Sequence, residues 1–196
     1  MFERMRTGRP ILVPGDGSAT TVVGHVGDQA RAFESLMGVE ASFGRRLNLT
    51  GDDPHTNRRY IDTFAEVVGV EPELVEIPAP LMDRMWDGEI RVSPLGGTGA
   101  SMDIRPTAAA RDRVMPHMHK VPLASLTQRL QPSLHRWDAD VVFSVDAMKE
   151  VTGWSPRHDF ASMVADTHAW WMESDRSGIE HDFTFEDEIL DLVRGG

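Results

Sequence analysis

A mixed α/β fold is predicted by three observations. Short runs rich in β-branched residues alternate with segments whose apolar residues recur at helical spacing. Polar caps and terminating glycines punctuate those segments at the expected places. Finally, 196 residues with 40% apolar content are enough to bury one core without a disulfide or metal, and the chain has no cysteine.

Taken in order, Ile11-Leu12-Val13 reads as a strand closed by Pro14-Gly15-Asp16-Gly17, where glycine supplies positive φ and Asp bonds its own backbone. Thr20 to Val26 is β-branched and reads as a second strand. Asp28 is expected to cap a helix carrying Ala30, Phe33, Leu36 and Met37, with Gly38 just past its end. Arg45 to Thr50 reads as a strand, followed by the polar loop Gly51-Asp52-Asp53-Pro54-His55. Thr56 then caps a helix over 57–68 with Tyr60, Ile61, Phe64, Ala65 and Val68 on one face and Gly69 as its stop. Glu73 to Ile77 alternates with period two up to Pro78, a half-buried strand. To residue 80 the predicted order is β-β-α-β-α-β.

Between 81 and 135, Gly96-Gly97-Thr98-Gly99 reads as a loop and Pro106 as the opening of a short helix through Arg113, with Pro116 and Pro122 interrupting the chain beyond it. After Val141-Val142-Phe143, a short helix fits 145–151 and Gly153-Trp154-Ser155-Pro156 turns the chain. Asp159 caps a last helix bearing Phe160, Met163, Val164, Thr167, Trp170 and Trp171. Glu173 to Asp191 holds eight acids and one arginine around Phe183, Phe185, Ile189 and Leu190. It is expected to be a surface segment docked by those apolar residues.

A formal charge of −11 and a pI near 5.1 repel phosphate backbones and anionic lipid, so neither nucleic acid nor membrane is an expected partner. Charges in Met1-Phe2-Glu3-Arg4-Met5-Arg6 leave no apolar core for a signal peptide, and no apolar run reaches bilayer length. A cytoplasmic location is the expectation.

The order of motifs resembles the C-terminal half of the extended short-chain dehydrogenase/reductase family, the NAD-dependent nucleotide-sugar epimerases and dehydratases. The resemblance rests on Pro10 to Gly17, Gly24-His25-Val26-Gly27-Asp28-Gln29-Ala30-Arg31-Ala32, Leu47-Asn48-Leu49-Thr50-Gly51 and Gly153-Trp154-Ser155-Pro156. It spans 1–172, with a poorly matched segment at 81–135, and leaves 173–196 as a separate acidic C-terminal surface segment. It implies a partial Rossmann-type sheet made of the last strands plus a small α+β substrate-binding lobe, the N-terminal dinucleotide-binding half being missing. In such proteins the residues matching Phe2 to Gly8 end a helix that begins well upstream.

The family's Tyr-x-x-x-Lys pair and glycine fingerprint are absent: Tyr60 is followed four residues on by Phe64, and Met102 replaces the last glycine after Gly96-Gly97-Thr98-Gly99. No catalytic or cofactor-binding residue is therefore expected here. Carried over residue by residue, the substrate-binding candidates are Thr21, where many members place an arginine, His25, and Arg136 as a diphosphate-binding arginine. The resemblance thus implies the substrate-binding half of an NAD- or NADP-dependent oxidoreductase, inactive and binding no cofactor alone. Its expected partners are a dinucleotide-binding half in cis or trans and a small-molecule substrate, with self-association through exposed apolar surface. The alternative is a non-catalytic binding module that kept the lobe and lost the chemistry.

Other chemistry-bearing residues read as structural. His25 is expected to be a strand residue and Asp28 the helix cap. His117, His119 and His135 with Asp138 and Asp140 lack the fixed spacing of a zinc site, so no metal is expected. Asp52-Asp53 and Glu186-Asp187-Glu188 read as solvated surface. No Gly-x-Ser-x-Gly elbow is present. Trp170 and Trp171, being adjacent on a helix, must face different ways.

Overall fold

The computed structural model describes residues 1–86, 140–174, 181 and 183–195. The elements run α1 (Phe2–Arg6), β1 (Ile11–Pro14), β2 (Thr20–Thr21), α2 (Val26–Leu36), β3 (His55–Thr56), α3 (Asn57–Val68), β4 (Leu74–Ile77), α4 (Ala79–Trp86), α5 (Asp146–Thr152), α6 (Phe160–Glu173) and α7 (Thr184–Gly195), with a 3-10 turn at Glu40–Ser42. The mixed α/β class is as the sequence predicts. Arg136, the glycine loop at 96–99, the helix expected from Pro106, and His117, His119 and His135 lie outside the described residues.

The chain divides into two compact units, Met1–Glu76 with Asp138–Ser174, and Ile77–Trp137 with Asp175–Gly196. The first contains two apolar clusters. In one, Phe2, Met5, Ile11, Val13, Ile61, Phe64, Ala65, Phe160 and Val164 pack α1, β1, α3 and α6 together. In the other, Ala32, Val145, Met148 and Trp154 bury against Leu36, Leu47 and Leu49. In the second unit, Met82 on α4 and Ile189 and Leu190 on α7 are buried.

Several local expectations hold. Asp16 Oδ1 accepts from Ser18 N at 2.9 Å, and Gly15 and Gly17 take positive φ in the turn after β1. Thr56 caps α3 by accepting from Arg59 N, and Gly69 closes the helix in the left-handed region. Asp159 caps α6 through Ser162 N. Trp171 packs on the aromatic cluster while its neighbour Trp170 is exposed.

Strand content is lower than predicted. β1 pairs with β4, and β2 pairs antiparallel with β3, with Thr20 opposite Thr56 and Thr21 opposite His55; Thr21 also forms a parallel bridge to Val141. Val22 to His25 and Arg45 to Thr50 belong to no strand. Their polar groups find other partners: Gly51 N donates to Val23 O at 2.9 Å, Gln29 Nε2 to Leu49 O, and Asn48 Nδ2 to Ser144 O. The crossing of these two runs is tight enough to require glycine on both. A Cβ on Gly51 would lie 2.4 Å from Val23 O, and one on Gly24 would lie 2.9 Å from Thr50 Cα.

Several side-chain assignments are corrected. His25, not Asp28, caps α2, its Nδ1 accepting from Gly27 N at 3.2 Å. Asp28 sits inside the first turn and is 2% exposed. α2 buries Asp28 and Ala32 and leaves Phe33 and Met37 exposed. Asp52 and Asp53 do more than face water: Asp52 pairs with Lys149 at 2.8 Å, and Asp53 Oδ2 accepts the Phe160 N–H at the start of α6.

Candidate functional site

Within the first unit, a cavity of about 630 Å³ opens among the extended run at 23–26, α3 and α6. Tyr60 and Phe64 from α3, with Phe160, Met163 and Trp170 from α6, supply most of its wall, and His25 and Asp166 supply its polar groups. The aromatic wall is ordered by stacking. Tyr60 and Phe160 ring centres are 5.1 Å apart, Tyr60 and Phe64 4.9 Å, and the buried His55 ring stacks on Phe160 at 3.8 Å. Burial pushes the Tyr60 hydroxyl pKa up, so the phenol keeps its proton at neutral pH.

At the polar end, His25 joins two elements. Its Nδ1 accepts from Gly27 N, which leaves Nε2 to donate to Asp166 Oδ2 at 2.9 Å. Its ring stacks on His158 with centroids 4.0 Å apart. His158 Nδ1 in turn donates to Asp28 Oδ2 at 2.9 Å.

Asp28 organises this corner. Its Oδ2 also accepts from Arg157 N at 3.0 Å and His158 N at 3.1 Å, while Arg31 Nη2 donates to Oδ1. The backbone carbonyl of Asp28 accepts from Trp154 Nε1 at 3.1 Å, and Arg31 also reaches Ser155 O. Burial alone would raise this carboxyl's pKa, but hydrogen bonds from Arg31, His158 and the two backbone amides hold it well below the usual carboxylate range. Among the described residues, His25, Asp28 and His158 place potential ligand atoms within 4.8 Å of one another. The Asp28 oxygens are already taken by these four donors, which makes the trio a structural junction.

The three candidates from the sequence are thus placed differently. His25 stands at the cavity. Thr21 lies in β2, half-buried, four residues earlier on the same run and outside the cavity lining. Arg136 is outside the described residues. Sequence reasoning missed Asp166 and His158. The available signal for His158 was its position just after the Trp154-Ser155-Pro156 turn; Asp166, on an exposed helical position, offered none.

No helix among the described residues is long and apolar enough to cross a membrane. No family model matches the chain. A curated relative, the chloroplast stem-loop binding protein of 41 kDa b from Arabidopsis thaliana, is 25% identical over 190 residues, covering 96% of this chain and 39% of its own length. Among solved structures, the epimerase Mth375 from Methanothermobacter thermautotrophicus superposes with a TM-score of 0.54 at 16% identity, over 100% of this chain and 38% of that one. The UDP-glucuronic acid 4-epimerase from Bacillus cereus, in complex with UDP-glucuronic acid and NAD, superposes with a TM-score of 0.50 at 10% identity, over 97% of this chain and 38% of that one. The chain therefore has the fold of one portion of these two epimerases, and it spans about two fifths of the length of the proteins it matches.

Proposed function

We propose that this chain is the substrate-binding portion of an NAD- or NADP-dependent epimerase/dehydratase-like oxidoreductase acting on a nucleotide sugar or related small molecule in the cytoplasm, inactive until a dinucleotide-binding portion joins it in cis or in trans. The observation that carries this reading is the fold correspondence over the whole of this chain with 38% of an epimerase. The motifs behind the sequence resemblance also converge in space: Asp28, inside one motif, accepts the indole N–H of Trp154, inside another 126 residues away.

Cofactor chemistry of this kind supplies a hydride acceptor, and among the described residues the N-termini of α2, α3 and α6 do not fit its pyrophosphate. An anion site at a helix N-terminus needs open amide donors. In α2, α3 and α6, amides of the first turn are already engaged by His25, Thr56, Asp159 and Asp53. α2 also carries the ionised Asp28 in that turn. The dinucleotide is accordingly assigned to the other portion. In this one, the aromatic wall of Tyr60, Phe64 and Phe160 would receive the flat or apolar part of the substrate. His25, its one N–H held by Asp166, would meet the substrate with its ring, and the Asp166 carboxylate would accept from a substrate hydroxyl; Thr21, four residues before His25 on the same run, and Arg136 are the further proposed contacts.

The test is purification of the chain alone and together with the polypeptide encoded by the roughly 450 bases before the Met1 codon, about one domain's worth of coding sequence. The expected result is no NAD(P) binding or reduction by the chain alone, and substrate-dependent reduction by the pair. Micromolar NAD binding by the isolated chain, or a closed frame with no neighbouring gene for that portion, overturns the reading.

A second reading, a non-catalytic binding module, is favoured by the name of the Arabidopsis relative. The charge of −11 argues against nucleic acid as its ligand. Titration with a stem-loop RNA at two salt concentrations separates the readings, since RNA binding would weaken steeply with salt.

A further inference from the structure

α2 exposes an unusual amount of apolar surface for a helix whose other face is filled. Val26 is 75% exposed, Phe33 64%, and Met37, at its C-terminal cap, 74%. With exposed Ala30 between them, they fall at positions 26, 30, 33 and 37. Steps of four, three and four are the a/d spacing with which one helix receives another. Phe43, 70% exposed just past the 3-10 turn, continues the apolar character beyond the helix.

We propose that this stripe on α2 seats an amphipathic helix of the dinucleotide-binding portion, an inference that rests on the function proposed above. Three observations choose that occupant. The a/d spacing calls for a helix, packed at a shallow crossing angle, rather than a strand edge or a flat surface. The proteins of matching fold carry about three fifths of their length outside the part that this chain matches, so the fold is completed there by further chain. A second copy of this chain is the poorer candidate. The stripe offers four apolar side chains toward the roughly 800 Å² per partner that a stable homodimer buries, whereas a portion of the same protein has its effective concentration raised by linkage or co-assembly.

The stripe shares no residue with the buried side of α2, where Asp28 and Ala32 carry the packing. The surface can therefore be altered without touching the junction at Asp28.

The experiment is site-specific photo-crosslinking in the source organism, with a photoreactive residue replacing Phe33 or Phe43 in the full chain, or Met172 as an exposed control on α6, and identification of the crosslinked peptide by mass spectrometry. Crosslinks from 33 and 43, but not 172, to a helical segment of a polypeptide with a dinucleotide-binding fold are expected. The pair Phe33→Glu and Met37→Glu should lower crosslinking from 43 at least tenfold with an unchanged unfolding midpoint. Crosslinks to a second copy of this chain, to a protein without that fold, or none at all overturn the proposal. If the pair reduces NAD(P) with substrate yet crosslinks through another surface, the docking site is wrong and the function stands. If no dinucleotide-binding portion exists, both fall.

Discussion

The two apolar clusters of the first unit are held together by different physics. The cluster around Phe2, Phe64 and Phe160 is built from area: tilted rings from α1, α3 and α6 pack with centroids 4.8 to 6.3 Å apart, and its stability is spread over many side chains. The cluster around Ala32, Met148 and Trp154 is smaller, and beside it one carboxylate gathers donors from four groups. The first loses stability by degrees. The second concentrates it in Asp28, because a donor facing a missing buried acceptor keeps its full desolvation cost.

Phe160→Ala should give the largest effect. It removes a ring that touches Tyr60, Phe64 and His55 and should cost about 4 kcal/mol, typical of a buried aromatic truncated to alanine. Chemical unfolding would show it as a lower midpoint of similar size at pH 7 and pH 3, since no ionised group is lost.

Asp28→Ala should come next, about 3 kcal/mol at pH 7, because Arg31 and the 157–158 amides lose a buried charged acceptor. Here pH separates the two regions. A carboxyl whose folded pKa is depressed contributes stability fully above its unfolded value, near 4, and loses that contribution as pH falls from there toward the folded value. The gap between wild type and Asp28→Ala should therefore shrink on acidification below pH 4. A gap that stays constant would mean the junction is not electrostatic.

Trp154→Phe is the smallest, about 1 kcal/mol. It keeps most of the ring in the cluster and removes the indole N–H that donates to Asp28 O. An effect as large as that of Asp28→Ala would make packing, not hydrogen bonding, the main tie in this region.

How far the sequence reveals these regions follows the same division. Local signals sufficed for α3, with Thr56 and Gly69 at its ends, and for α6, with Asp159, because a cap and a 3.6 period are written within a dozen residues. The strand expected at 45–50 failed since its alternating Leu47 and Leu49 report only that one side is buried, not that another backbone lies alongside. The cap of α2 reads as Asp28 in the sequence, where the structure has His25, for a related reason. What sends Asp28 inward is a set of donors from Arg31, Arg157 and His158, and the last two residues lie 129 and 130 positions away. The cavity was legible only as separate apolar stripes on 57–68 and 160–171. Asp166, which holds His25, carried no local signal at all.

The contacts of Asp28 also bear on how the chain reaches its folded state and how it can change over evolution. They join positions 126 to 130 residues apart, so this corner belongs to the contacts of highest sequence separation, which close late and slow folding. The entropy of closing such a loop rises only with the logarithm of its length, about 0.6 kcal/mol for each doubling. Residues could be inserted between α4 and α5, or deleted there, at little cost to the closure itself. In its own closure entropy, a clasp of this kind is nearly insensitive to the length of chain between its ends.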